Sequence, residues 1–124
     1  MMRLSTEIYT RKVKESRDFY INNFNFEIKK QAEGFVVLQH KTSPAYELLF
    51  CIPGSPFVNK LFHPEFSGKG IIFQMEIDNA EAEYHRVKTL KIPIVLELVT
   101  EPVNGTHFTI QDPNGILIDI VQYS

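Results

Sequence analysis

The repeated order of strand and helix patterns is the feature that most constrains what this chain can fold into. Residues 4–9 alternate in character with a period of two, which is typical of a strand with two unlike faces. Residues 13–24 place aromatic side chains at helical spacing, and three extended segments follow at 25–28, 35–38 and 46–52. The first half therefore predicts a βαβββ unit.

The second half repeats this order after about 70 residues. Residues 70–77 alternate as a strand, and Asp78 is predicted to cap a helix that has Glu81 in its first turn. Pro93 comes after the predicted end of that helix. Three further strands complete the unit, at residues 94–96, 106–111 and 116–123. An internal repeat of two βαβββ units is the strongest inference from the pattern.

Chain length and the connector between the repeats set the predicted domain organisation. A chain of 124 residues fits one domain, with modules at residues 1–52 and 70–124 and a connector at 53–69. The connector contains three phenylalanines, so we expect it to fold over its own core or over a ligand-binding opening. The prediction is a single α+β domain whose two modules form a curved, barrel-like mixed sheet with the helices on the outer face.

The composition argues against several classes of partner. The formal net charge of −2 gives no electrostatic attraction to nucleic acid or to an anionic membrane. No apolar run reaches the roughly 18 residues of a membrane span, and the first residues lack the apolar segment of an export signal. The single cysteine, Cys51, rules out an internal disulfide and suits a reducing compartment. We therefore expect a cytoplasmic protein with neither a nucleic-acid nor a membrane partner.

The two faces of the predicted sheets indicate where a ligand would bind. The helices must cover the more apolar face, which leaves carboxylates, amides and one histidine among apolar residues on the other face. The residues assigned to the helix face of the second half are Ile71, Phe73, Met75, Ile77, Phe108, Ile110, Ile116, Ile118 and Ile120. This composition is typical of a lined cavity, although a solvent-facing sheet has a similar one. Cys51 is interpreted as a small filler, and Tyr9 either stacks on a ligand or packs in the core. The predicted ligand-binding residues are Tyr9, Glu47, Cys51, Gln74, Glu76, His107, Thr109 and Asp119.

Two sequence motifs resemble those of a known superfamily. The first is SRDFY at residues 16–20, followed by NFE at 25–27, and the second is FTIQDPNGILID at residues 108–119. With these motifs the chain resembles the vicinal oxygen chelate superfamily, which includes glyoxalase I, bleomycin-resistance proteins and extradiol dioxygenases. The resemblance covers nearly the whole length. It implies paired βαβββ modules and a homodimer. The modules complete barrels either within one chain or across the two chains of the dimer.

The resemblance also implies four metal-ligand positions, one on the first and one on the last strand of each half. In this sequence they correspond to Ser5, Glu47, Ile72 and Asp119. Ile72 has no donor atom, and Ser5 is a poor ligand for Zn²⁺, Ni²⁺, Fe²⁺ or Mn²⁺. No cofactor is therefore expected. The alternative is a rearranged divalent-metal site of Glu47, His107 and Asp119; otherwise His107 is a polar residue bonded to a neighbour.

Two functions of different classes follow from this resemblance. The first is binding of a small organic molecule without turnover, as in the bleomycin-resistance type, whose members sequester a cationic drug between two subunits. An acidic lining of Glu7, Glu47, Glu76 and Asp119 would favour a cationic or hydrogen-bonding ligand. The second is a glyoxalase-like lyase, an isomerase or an extradiol-type dioxygenase, in which a divalent metal polarises a pair of substrate oxygens. The sequence identifies neither the ligand nor the pathway.

Overall fold

The computed structural model describes residues 2–123, which fall into two compact units that divide between Ser67 and Gly68. Each unit contains one four-stranded mixed sheet and one α-helix. The predicted α+β class and the repeat of two βαβββ units are confirmed, and neither sheet closes into a barrel by itself. Within the described part of the chain, no helix is both long enough and apolar enough to cross a membrane.

The first unit follows the predicted order of elements. Its sheet has the strand order β1-β4-β3-β2, in which β1 and β4 are parallel and the other pairs are antiparallel. Helix α1 ends at Asn25, which adopts a left-handed conformation that asparagine tolerates. The elements are β1 (Thr6–Tyr9), α1 (Val13–Phe24), β2 (Phe26–Ala32), β3 (Phe35–His40) and β4 (Glu47–Cys51), and a short 3₁₀ helix (Lys60–Phe62) lies in the connector.

Aromatic packing between α1 and the sheet forms the core of the first unit. Tyr20 of α1 is fully buried and stacks on Phe50 of β4, with ring centroids 5.8 Å apart. The edge of the Tyr20 ring also meets Phe26 at 5.7 Å. Buried aromatic pairs of this geometry stabilise a fold beyond the area that they remove from water. Because side chains alternate along a strand, this core fixes which residues lie on the opposite face of the sheet.

The second unit repeats the topology of the first. Its strand order is β5-β8-β7-β6, and β5 and β8 are parallel. Strand β6 is longer than predicted because Val99, Thr100 and Glu101 also pair with β7, with two register shifts along the strand. The elements are β5 (Ile72–Glu76), α2 (Ala80–Thr89), β6 (Ile94–Glu101), β7 (Gly105–Gln111) and β8 (Leu117–Gln122).

The core of the second unit contains most of the side chains that were assigned to the helix face. The five residues from β7, β8 and the turn between them are almost completely buried: Phe108, Ile110, Ile116, Ile118 and Ile120. Ile71 is an exception, because it precedes β5 and is half exposed. The face assignment is thus confirmed for β7 and β8, where alternation is regular.

The cap of α2 differs from the sequence prediction. The N-cap is Asn79, whose side chain accepts a hydrogen bond from the backbone N–H of Ala82 at 3.0 Å. The prediction of Asp78 was wrong by one residue. The helix begins at Ala80, which is fully buried and donates its N–H to the side chain of Gln122, so packing against β8 selects the later cap. Asparagine and aspartate cap equally well, and the sequence pattern alone does not separate them.

Candidate functional site

The face of each sheet that is turned away from its own helix carries most of the predicted site residues. We call these surfaces the first and the second open face. The strand registers place eight residues on the first open face: Glu7, Tyr9, Phe35, Val37, Gln39, Glu47, Leu49 and Cys51. The registers place nine residues on the second open face: Ile72, Gln74, Glu76, His107, Thr109, Gln111, Leu117, Asp119 and Val121.

Glu47 on the first open face receives hydrogen bonds from three side chains. Its Oε2 accepts from Lys29 Nζ at 2.5 Å and from Arg3 Nη1 at 2.8 Å, and its Oε1 accepts from Ser5 Oγ at 3.0 Å. We call these four residues the Glu47 cluster. The hydrogen bond from Lys29 lowers the pKa of the Glu47 carboxyl, with smaller contributions from Ser5 and Arg3, although burial opposes the shift. Glu47 is therefore an ionised carboxylate that two protein cations already neutralise.

Lys29 reaches Glu47 from a β-bulge in β2. Ile28 pairs with Leu38 and Lys30 pairs with Val37, so β2 has one residue more than β3 over this stretch. A bulge bends its strand and re-aims a side chain. The ammonium group of Lys29 extends across β3 to β4, where Glu47 begins the strand.

Tyr9 and Cys51 lie side by side at the other end of the first open face. The hydroxyl of Tyr9 donates to Glu7 at 2.5 Å; this bond, with burial, raises the pKa of Tyr9 to about 12. The connector packs here. The rings of Phe62 and Tyr9 are nearly parallel, with centroids 6.4 Å apart, and the backbone N–H of Phe66 donates to the backbone carbonyl of Tyr9. Burial raises the pKa of the Cys51 thiol, so this side chain is an unreactive filler.

His107 on the second open face lies between two carboxylates. Its Nδ1 is 2.8 Å from Asp119 Oδ1, and its Nε2 makes a short contact with Glu101 Oε1. Thr109 donates its hydroxyl to the same Asp119 oxygen at 3.4 Å. We call these four residues the His107 cluster. Because ionised carboxylates only accept hydrogen bonds, this arrangement favours a proton on both ring nitrogens, which is the imidazolium form of His107.

Hydrogen bonds and charges within the His107 cluster shift the pKa values of His107 and Glu101. The hydrogen bond to Glu101 raises the pKa of His107, and the bond to Asp119 adds to the effect. The same bond to His107 lowers the pKa of Glu101. One cation between two anions leaves the cluster with one net negative charge.

Gln74 and Glu76 lie on β5, at the edge of the second open face. Gln74 is opposite Asp119 in the strand register, and its side-chain amide donates to the hydroxyl of Tyr123. Glu76 is exposed and lies opposite Val121. The structure therefore brings together His107, Thr109 and Asp119 among the predicted residues of this face, while Gln74 and Glu76 take no part in the His107 cluster.

Three residues of these clusters were absent from the sequence prediction. Glu101 could have been found if β6 had been extended to the Asn104-Gly105 turn, because the strand alternation places it two residues beyond Val99, which pairs with His107. Lys29 lies at a bulge, where alternation no longer reports the face of a side chain. Arg3 precedes β1 and carries no periodic signal.

The donor atoms of the alternative metal site are engaged in other contacts. Both oxygens of Glu47 accept hydrogen bonds, two of them from cations, and both ring nitrogens of His107 lie within hydrogen-bond distance of carboxylate oxygens, which favours a proton on each. A nitrogen that carries a proton has no lone pair for a metal. Across residues 2–123, no three His, Cys, Asp or Glu side chains are arranged to hold a metal ion. The residues present do not fit the divalent metal that the family resemblance implies.

Comparison with known proteins identifies the family. The model of the Glyoxalase/Bleomycin resistance protein/Dioxygenase superfamily matches residues 4–120. The chain belongs to this superfamily. The resemblance seen in the SRDFY and DPNG motifs is therefore confirmed. Among proteins with curated descriptions, none matches the sequence of this chain.

Solved structures with the same fold include proteins with different described roles. TnmS3, an antibiotic binding protein from Streptomyces sp. CB03234, is 16% identical with a TM-score of 0.73, over 100% of this chain and 97% of that chain. Lactoylglutathione lyase from Agrobacterium tumefaciens is 21% identical with a TM-score of 0.74, over 98% and 92%. A superfamily member from Nocardioides is 15% identical with a TM-score of 0.80, over 99% and 83%. At these identities the likeness establishes the fold alone.

Proposed function

We propose that this superfamily member binds a small organic molecule on an open face of its sheets without a divalent metal. The observation that carries the proposal is the Glu47 cluster, in which Lys29 and Arg3 supply positive charge at a position that corresponds to a metal ligand in the family. TnmS3, which shares the fold, is described as an antibiotic binding protein, and a related non-catalytic role is consistent with these residues.

The second open face has the mixture of side chains that organic ligands require. Ile72, Leu96 and Val99 are exposed apolar residues, and the His107 cluster supplies ionic and hydroxyl groups among them. Ligand sites in proteins typically combine apolar walls with a few fixed polar groups. His107 offsets the charge of Asp119 on this face, and Lys29 offsets that of Glu47 on the first open face. A ligand with apolar and hydrogen-bonding parts suits this face better than a polycation.

Metal analysis tests the proposal directly. We expect the purified protein to carry no stoichiometric metal and to bind Zn²⁺, Ni²⁺, Fe²⁺ and Mn²⁺ no more tightly than a His107→Ala variant, because the donor atoms are engaged. Elemental analysis and calorimetric titration of both proteins measure this. Stoichiometric metal that is lost in His107→Ala would contradict the proposal and favour the metal-dependent lyase, isomerase or dioxygenase at Glu47, His107 and Asp119. A ligand screen that yields only anions needing added metal would also overturn it.

We also propose that the protein is a cytoplasmic homodimer, consistent with its single, buried cysteine and with the apolar surface of the second unit. Exposed apolar residues of this kind mark interaction surfaces when they are contiguous. Sedimentation velocity across a concentration series is expected to show a dimer, and Leu96→Glu is expected to shift it to monomer. Leu61→Glu, at an exposed connector residue, is the matched control. A wild-type monomer at every concentration would contradict the homodimer.

A further inference from the structure

We propose that Lys29 and Arg3 form a binding site for the anionic oxygen of a small organic acid, a carboxylate or a phosphate ester. The inference deepens the proposed function, because it names the chemical class of ligand for a metal-free site. It rests on the arrangement of the two cations around Glu47, on their exposure and on their remaining hydrogen-bonding capacity.

The carboxylate of Glu47 fixes both cations in place. Its side chain is only 8% exposed, whereas those of Lys29 and Arg3 are 43% and 38% exposed. The hydroxyl of Ser5 donates to the second oxygen of Glu47, so both carboxylate oxygens are fixed by hydrogen bonds. A buried anion thus orients two cationic groups that remain accessible to a solute. Preorganised charges of this kind bind an anion at a smaller ordering cost than free surface lysines do.

Both cations retain hydrogen-bond donors beyond those used on Glu47. A lysine ammonium has three N–H donors and an arginine guanidinium has five. On Lys29 the bond to Glu47 uses one of the three ammonium N–H groups, and on Arg3 it uses one of the guanidinium nitrogens. Carboxylates and phosphates are the acceptors that these groups bind most strongly, through charge-assisted hydrogen bonds.

The local charge favours an incoming anion over an incoming cation. Two positive groups share one carboxylate in the Glu47 cluster, which leaves one net positive charge. The two other carboxylates of this part of the sheet, Glu27 and Glu7, accept hydrogen bonds from the uncharged side chains of Gln39 and Tyr9 and keep their own charges, so the preference for an anion is confined to the immediate surroundings of Lys29 and Arg3. A cationic ligand would have to displace Lys29 from a buried carboxylate, at a high desolvation cost.

The test uses benzoate, phenyl phosphate and benzamide as probes in NMR titrations of the full chain. Benzamide has the shape of benzoate without its charge. We expect benzoate or phenyl phosphate to shift the backbone signals of residues 3–5, 29 and 47 saturably, at least tenfold more tightly than benzamide. Comparing the two anions distinguishes a carboxylate site from a phosphate site.

The variants Lys29→Met and Lys30→Met form a matched pair, since both remove one lysine charge from neighbouring positions of β2. We expect Lys29→Met to weaken binding of the anion about tenfold or more, the effect of losing one charge-assisted hydrogen bond. Lys30→Met should have little effect. Thermal unfolding confirms that both variants fold.

Three results would overturn the inference while leaving the proposed function intact. They are equal affinities for benzoate and benzamide, equal losses in the two lysine variants, and no saturable shift at these residues with either anion. Stoichiometric metal in the purified protein would instead overturn the proposed function, so the two failures are distinguishable.

Discussion

Replacing Gly105 with alanine is expected to lower the free energy of unfolding by about 3 kcal/mol, the sum of left-handed backbone strain and a steric clash. Gly105 begins β7 with a φ of +73°, and a Cβ atom there would lie 2.4 Å from the carbonyl oxygen of Gln122. The clash is with backbone, so a side-chain rotation cannot relieve it. The adjoining pair of Thr106 with Gln122 would have to shift, and His107 follows directly.

Gly115→Ala is the matched control for this substitution. Gly115 has a similar φ of +82°, but a Cβ atom there would meet no atom within 4 Å. We expect it to cost about 1 kcal/mol, from backbone strain alone. Urea denaturation of the two variants measures the difference. Equal losses would show that the β7–β8 pair moves easily and that the close approach to Gln122 carries little energy.

The stability of the protein is expected to fall as the pH rises through the pKa of His107. The two carboxylates raise this pKa above its ordinary value of 6.5, so the protonated ring stabilises the folded state. That contribution is complete below pH 6.5 and is lost as the pH rises through the folded-state pKa. The pKa of Glu101 is lowered from 4.5, so its contribution is present above pH 4.5 and is lost as the pH falls. The His107 cluster is therefore most stabilising between these two limits.

His107→Ala is expected to lower the free energy of unfolding by about 2 kcal/mol at pH 6, because two neighbouring carboxylates lose the cation between them. The loss should be smaller at pH 9, because the charge of the wild-type ring declines as the pH rises through its raised pKa. His85→Ala is the control, since His85 is exposed and has a single long contact with one carboxylate, at 3.9 Å. Urea denaturation at both pH values measures the effect. Parallel stability profiles for wild type and His107→Ala would show that the cluster does not stabilise the fold.

The elements that sequence predicted well are those whose signal is periodic. Helix α1 has the predicted bounds, because its aromatic side chains recur at helical spacing and pack on one sheet. The buried residues of β7 and β8 were predicted because alternation along these strands is regular. In such elements the side chains that form the core also carry the pattern, so local sequence and tertiary packing agree.

The parts that sequence did not predict depend on contacts between distant residues. The cap of α2 is selected by packing of Ala80 and Gln122, which lie 42 residues apart. The neutralisation of Glu47 depends on Lys29 at a bulge and on Arg3 outside any strand. The residue types at Glu47 and His107 suggested metal ligation, but their neighbours determine what their donor atoms do. A single sequence contains no periodic signal for such neighbours.

The parallel pairing of β1 with β4 has a consequence for the order in which the first unit assembles. Ser5 and Glu47 are separated by 42 residues, whereas His107 and Asp119 are separated by only 12 within a hairpin. Closing the longer loop costs more chain entropy, and contacts of high sequence separation form slowly. We therefore expect the Glu47 cluster to form late during folding, after the β2–β3–β4 meander. Strand β1 is also the edge strand of its four-stranded sheet, so we expect the β1–β4 pairing to open locally in the native state more readily than the interior pairs.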